Sequence, residues 1–164
     1  MPSLFSRSQI NFDKMFRIII GSDHAGFPLK ERVKRYLSGE KYAVTDAGTD
    51  SLESVDYPDY GASVAQRVST GEFDRAILVC GSGVGMSIVA NKFPDVRAAL
   101  CLDEDTAYMS RLHNNANILV LAGRKTEEET AKAIVRLWLN TEFEGGRHQR
   151  RLDKIGEIGK RLYK

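Results

Sequence analysis

One cysteine in this sequence stands directly before a glycine-rich run: Cys80 is followed by Gly81-Ser82-Gly83-Val84-Gly85. Glycines between a strand and a helix let backbone N–H groups turn toward an anion, and the helix amino end adds partial positive charge. The anion served is a phosphate, or an oxyanion that develops during a reaction. A helix amino end also favours the thiolate form of a thiol beside it, so Cys80 reads as a base or nucleophile. An unpaired cysteine can equally pack as a small hydrophobe, and it is the position of Cys80 that favours chemistry. Cys101 has no glycine loop behind it and reads as core. The GxGxG spacing is neither the full dinucleotide fingerprint nor a Walker loop, so it carries weight only with its neighbours.

Those neighbours are histidines and arginines. His24 follows Asp23, His113 precedes Asn114, and His148 follows Arg147. None of the three histidines has the tight HxxxH spacing of a metal pair, so acid–base work or anion binding is expected rather than a metal. For His148 a partly exposed surface position is the bland alternative. Near the carboxyl end, Arg147 and Arg151 fall one turn apart on a helix that begins near Gly146. Two guanidinium groups at a helix amino end suit bidentate phosphate binding. Leu152, Ile155, Gly159 and Leu162 continue that helix with an apolar stripe, which implies docking on this core or on a second subunit.

The elements that must position these groups alternate. Strands are expected at Phe16–Gly21, Tyr42–Asp46, Arg75–Cys80, Val96–Cys101 and Ile118–Leu121. Helices are expected over Pro28–Leu37, through Tyr60, Val64 and Val68 up to Gly71, from the glycine loop to Asn91, and over Glu104–His113. Thr126 with Glu129 has the form of a capping box for a further helix that buries Ala131, Ile134, Val135 and Trp138. Such alternation implies right-handed βαβ units. The expected fold is a three-layer α/β/α sandwich, Rossmann-like, with a five-stranded parallel sheet and a C-terminal helix. Ligand sites of such sheets lie beyond the carboxyl ends of the strands, near a topological switch point. Ser22-Asp23-His24, Asp46-Ala47-Gly48-Thr49 with Asp56-Tyr57-Pro58, Cys80 with its loop, Asp103, and Gly123-Arg124 all follow strands, so they converge on one edge.

Bulk composition narrows the partners. The 164 residues carry 24 Lys and Arg against 22 Asp and Glu, a formal net charge of +2, which is too balanced for a nucleic-acid or anionic-membrane footprint. Hydrophobic residues make up 42% and charged residues 28%, the balance of a globular chain able to bury a core. No apolar run is long enough to span a bilayer. Two cysteines without CxxC spacing exclude a disulfide scaffold and point to a reducing, cytoplasmic compartment. Residues 1–14 show no hydrophobic periodicity and no signal-peptide core. They read as a loose extension or a start-site artefact, ahead of one domain over residues 15–164.

Five pieces in fixed order resemble the ribose-5-phosphate isomerase type B family, which includes galactose-6-phosphate and allose-6-phosphate isomerases. They are Gly21-Ser22-Asp23-His24-Ala25-Gly26, Asp56-Tyr57-Pro58, Cys80 to Gly85 followed by Ala90-Asn91-Lys92-Phe93, Arg111-Leu112-His113-Asn114, and Glu144-Gly145-Gly146-Arg147-His148-Gln149. The resemblance runs from about Met15 to the carboxyl end. It implies an aldose–ketose isomerase of the non-oxidative pentose phosphate pathway that works through a cis-enediolate, with no metal and no cofactor. By resemblance Cys80 is the base that moves the proton between C2 and C1, and His113 opens the furanose ring with help from Asp23. The amides of Gly81 to Gly85 hold the enediolate oxygens, including those of Gly83 and Val84, and Ser82 passes protons between the oxygens. His24, Arg124, Arg147 and Arg151 bind the phosphate, while Asn114 and Tyr57 meet the sugar hydroxyls. The family builds this site between two subunits, so a homodimer or a dimer of dimers is implied.

Two departures bear on that transfer. Many members have threonine where Ser82 stands, and serine loses the β-branch that restricts the rotamer. One branch uses a glutamate base just after the glycine loop, but here Met86 follows Gly85, which leaves Cys80 as the base. Six-carbon sugar phosphates remain alternative substrates. A nucleotide-binding module is a further alternative, because Asp103 follows the glycine loop at about the distance of a ribose-binding acid.

Overall fold

The structure is a computed structural model that describes residues 16–163, so the expected extension at residues 1–14 lies outside the described residues. Strand β1 (Ile18–Ser22) leads to helix α1 (Phe27–Gly39), β2 (Val44–Asp46) to α2 (Tyr57–Ser69), and β3 (Arg75–Cys80) to α3 (Val84–Ala90). Then β4 (Ala98–Leu100) leads to α4 (Glu104–Leu112), β5 (Ile118–Ala122) to α5 (Glu128–Asn140), and α6 (Arg147–Leu162) is the last of the described elements. The strands form one parallel sheet in the order β2-β1-β3-β5-β4. The α/β sandwich expected from the alternation is the observed fold.

Strand periodicity sorts the core onto two faces. On one face Ile18, Ile20, Ile77, Val79, Leu119 and Leu121 meet Leu29, Val33 and Leu37 of α1 and Ala131, Ile134, Val135 and Trp138 of α5. On the other, Ile19, Leu78, Ile118 and Val120 meet Val64, Ala65 and Val68 of α2 and Met86 and Ala90 of α3. A fully buried Leu, Ile or Val contributes about 1.5–3 kcal/mol over an exposed one, so both helical layers are held by the sheet. The chain leaves β1 for β2 on one side and returns to β3 on the other. The switch point therefore lies between β1 and β3, with Asp23 and Gly81 at its rim.

Two sequence expectations need correction and a third is narrowed. The strands expected at Tyr42–Asp46 and Val96–Cys101 are shorter, because β2 and β4 are the sheet edges and pair on one side only. The capping box does not form: Glu127 caps α5 without a side-chain bond, and Thr126 Oγ1 is buried with no hydrogen-bond partner. The Thr126 amide instead donates to Ala122 O in the turn after β5, which delays the helix start. Of the two seats expected for the α6 stripe, this chain's core is not the one used, since Ile155, Ile158 and Leu162 are exposed and His148 is the buried residue of that helix. No described helix is long and apolar enough to cross a membrane.

One ion-pair group ties the second strand end to the first. Lys30 is fully buried, and its Nζ lies 2.8 Å from both Asp46 carboxylate oxygens and 3.0 Å from Glu31 Oε1. Lys34 Nζ reaches Asp46 Oδ2 at 2.6 Å. Asp46 Oδ1 also accepts the Gly48 amide at 2.8 Å, and Gly48 O accepts the Ser22 amide at 2.6 Å. Burial alone would raise the Asp46 carboxyl, but hydrogen bonds from Lys30 and Lys34 outweigh it and hold the group below its ordinary range.

Candidate active site

The carboxyl ends of β1, β3 and β5 enclose a cavity of about 270 Å³. Cys80, the last residue of β3, stands in its wall at 4% exposure. Gly81 and Ser82 follow it around the rim, and Gly85 lines the cavity from the first turn of α3. Gly83 and Val84 do not line it. Gly83 caps α3 in the left-handed region at φ +77°, and a Cβ there would sit 2.3 Å from Leu100 Cδ1, so only glycine fits the turn. Val84 points outward, its amide donating to Ser82 Oγ at 3.3 Å. Main-chain bonds from Gly123 N to Cys80 O (2.8 Å) and from Arg124 N to Gly81 O (3.0 Å) lock the turn after β5 onto the glycine loop.

The turn after β1 supplies the opposite wall. Asp23 is 7% exposed, and its Oδ1 accepts the Gly26 amide at 2.9 Å. Gly26 packs against β3 so closely that a Cβ would fall 2.3 Å from Val79 O. His24 Nδ1 accepts the Val55 amide at 3.2 Å, which leaves Nε2 as the nitrogen able to donate. Tyr57, at the start of α2, covers Gly85 so tightly that a Cβ there would lie 2.7 Å from its ring. Arg124 Nη1 lies 3.3 Å from where a Cβ on Gly81 would stand. A guanidinium, an imidazole donor, a carboxylate and a thiol thus face one cavity, the types of group that can bind an anion and move a proton.

The remaining site residues expected from the sequence lie outside that cavity. His113 caps the carboxyl end of α4, and its ring stacks on His148 with centroids 4.1 Å apart and planes 16° from parallel. Glu144 Oε2 is 3.1 Å from His148 Nε2 and 3.8 Å from His113 Nε2. His148 is 4% exposed, not the surface histidine that sequence allowed, and burial, with His113 and Arg147 nearby, pushes it below the ordinary imidazole range. Asn114, Arg147 and Arg151 are exposed around this group. By distance His113, Glu144 and His148 are a possible metal triad, with ligand atoms within 4.8 Å of one another. Near-parallel rings, however, aim their nitrogen lone pairs side by side and not at one point, which is the geometry of a stack.

Sequence reasoning left Glu144 and Arg111 without roles. Arg111 is 3% exposed; its Nη1 donates to Ala116 O (2.7 Å) and Asn115 Oδ1 (2.8 Å), and its Nε donates to Thr141 O (3.2 Å). It staples the His113 turn to the segment that leads into Glu144. Burial, with the Arg75 and Arg97 guanidinium groups nearby, pushes the Arg111 guanidinium down to about 9. Asp103, which suggested a nucleotide ribose, is the cap of α4: its Oδ1 accepts the Thr106 amide at 2.7 Å. Cys101 is fully buried, as expected for core.

Known proteins match the chain along most of its length. The sequence model of the Ribose/Galactose Isomerase family matches residues 18–155. Ribose-5-phosphate isomerase B of Escherichia coli K12 is 46% identical over 147 residues, covering 90% of this chain and 99% of that protein. A Thermotoga maritima ribose 5-phosphate isomerase crystal structure is 55% identical with a TM-score of 0.85, covering 88% of this chain and 99% of its own. The Mycoplasma genitalium ribose-5-phosphate isomerase B structure, with ribulose-5-phosphate bound, is 42% identical with a TM-score of 0.85, covering 88% of this chain and 97% of its own. The order of motifs, the cavity at the switch point and these matches agree: the chain belongs to the ribose/galactose isomerase family.

Proposed function

We propose that this chain interconverts D-ribose 5-phosphate and D-ribulose 5-phosphate, the isomerisation of the non-oxidative pentose phosphate pathway. The observation that carries the chemistry is Cys80, buried in the wall of a cavity it shares with Asp23, His24, Ser82 and Arg124. In the forward direction the Cys80 thiolate takes the C2 proton of the open-chain aldose. The electron pair forms the C1–C2 double bond and the carbonyl oxygen becomes an oxyanion. Backbone amides of the glycine loop stabilise that charge as it develops, in a site that already points at it. Ser82 moves a proton between the two oxygens, and the Cys80 thiol returns its proton to C1. His24 and Arg124 hold the phosphate from this side, and Tyr57 meets the sugar hydroxyls.

The second half of the site comes from a partner copy. His113, Asn114, Arg147 and Arg151 lie outside the cavity of their own chain, and α6 carries an uncovered apolar stripe beside them. A homodimer that seats that stripe places the partner's phosphate-binding and ring-opening groups over Cys80. Two free cysteines and the absence of any described membrane-crossing helix support a cytoplasmic enzyme.

A coupled assay of ribose 5-phosphate turnover, with and without chelator and alongside allose and galactose phosphates, tests the activity. Arg147→Ala and Arg151→Ala are expected to raise KM at least tenfold with little change in kcat, because phosphate contacts persist from ground state to transition state. A loss confined to kcat would contradict phosphate binding. The shared site is tested by mixing. Cys80→Ala and His113→Ala proteins, each with little turnover of ribose 5-phosphate alone, should regain it after joint refolding, because each mixed dimer contains one intact site. No recovery in proven mixed dimers would place each site within a single chain.

A further inference from the structure

Resting on the ring-opening role given to His113, we infer that His148 and Glu144 are positioning residues that fix the His113 imidazole for opening the sugar ring. The backbone under His113 is well held. Its amide donates to Met109 O at 2.9 Å, and Leu112 O accepts the Glu144 amide at 3.0 Å. Arg111 pins the following residues through Asn115 and Ala116. The ring itself is half-buried, and what orients it is the parallel face of His148 at 4.1 Å, with the Glu144 carboxylate at the nitrogen edge of both rings.

His148 is suited to this task because it has no freedom of its own. It is buried in the first turn of α6, its amide donates to Gly145 O, and its Nε2 has no hydrogen-bond partner despite the carboxylate 3.1 Å away. A buried imidazole held by packing presents a fixed plane, and a ring stacked on it loses rotation about its own side-chain bonds. Proton transfer to a ring oxygen requires a donor within hydrogen-bond reach, and a misplacement of about 1 Å costs on the order of 10²-fold. The same helix turn carries Arg147, and Arg151 follows one turn later. The stack therefore makes one rigid body of the ring-opening group and two phosphate ligands, so anchoring the phosphate also sets the imidazole against the ring oxygen.

The two substrates of the reaction separate positioning from general damage. Ribose 5-phosphate is mostly a closed furanose, whereas ribulose 5-phosphate cannot close one because its C5 oxygen carries the phosphate. His148→Leu removes the stacked face, and kcat from ribose 5-phosphate is expected to fall about 10²-fold. Over the same change kcat from ribulose 5-phosphate stays near wild type. KM for ribose 5-phosphate should fall with kcat, because the closed ring then binds unproductively. His148→Phe, which restores an aromatic face, should recover most of the forward kcat, and Glu144→Gln should show a smaller loss with the same asymmetry. Equal losses in both directions across these variants, or no loss, overturn the positioning role. His113→Asn is the control for the underlying reading. If it lacks the asymmetry, His113 does not open the ring and the positioning role falls with it; if it alone shows the asymmetry, only the positioning role is wrong.

Discussion

Cys80→Ala is expected to lower kcat by about 10³-fold or more while KM for ribose 5-phosphate changes little. A positioned base contributes about 10²–10⁴-fold to a proton transfer, and among the described residues lining the cavity Cys80 is the one thiol. The phosphate ligands are untouched by the change, so binding survives. Cys80→Ser keeps the shape but supplies a far weaker base at neutral pH, and it should fail nearly as badly. Cys101→Ala is the matched control, since burial pushes that thiol up to about 11 and it stays protonated in the core. Alkylation should therefore inactivate the enzyme in step with labelling of Cys80, and ribulose 5-phosphate should slow both. Full turnover in Cys80→Ala would remove the base from the mechanism.

How well the site could be read from sequence depended on how local each part is. The long buried strands were legible because β-branched runs flanked on both faces leave one solution, and Arg75–Cys80 is both the expected and the observed span of β3. Knowing that strand ends converge was enough to bring Asp23, His24, Cys80, Gly81, Ser82 and Arg124 to one cavity. Gly83 and Val84 belong to the same motif yet serve the turn, a difference decided by a single positive φ. The His113 stack was not legible. It joins the end of α4 to the start of α6 across more than one loop, and two of the three Arg111 bonds that hold those loops go to the backbone carbonyls of Thr141 and Ala116, which leave no trace in side-chain spacing. Thr126 and Glu129 show the converse error, in which a local pattern was present and the turn after β5 overrode it.

Asp46→Ala is expected to be the most destabilising of the single substitutions considered, by about 3 kcal/mol, the lower end for breaking a buried pair. Lys30 has no exposure, and without Asp46 its ammonium is left with Glu31 Oε1 at 3.0 Å and the face of the Phe27 ring, whose centroid is 5.3 Å away. The lower end applies because the Asp46 side chain is 28% exposed and shares its charge with Lys34. That loss is a large part of the roughly 5–15 kcal/mol that holds a typical domain together, and urea denaturation at pH 7 measures it. The sign with pH follows from the folded carboxyl being held below its ordinary range. Its contribution is present above the unfolded value of about 3.9 and is lost as pH falls through the folded one. The gap between wild type and Asp46→Ala should therefore narrow as the solution is acidified below about pH 4. Pairing Asp46→Ala with Lys30→Met removes the stranded charge, and that double variant should regain much of the lost stability. If it is no more stable than Asp46→Ala alone, the cost lies elsewhere, in the Gly48 and Ser22 bonds that Asp46 also supports. Because those bonds set the β1 turn carrying Asp23 and His24, the single variant should lose activity along with stability, whereas a stranded charge alone would affect stability first.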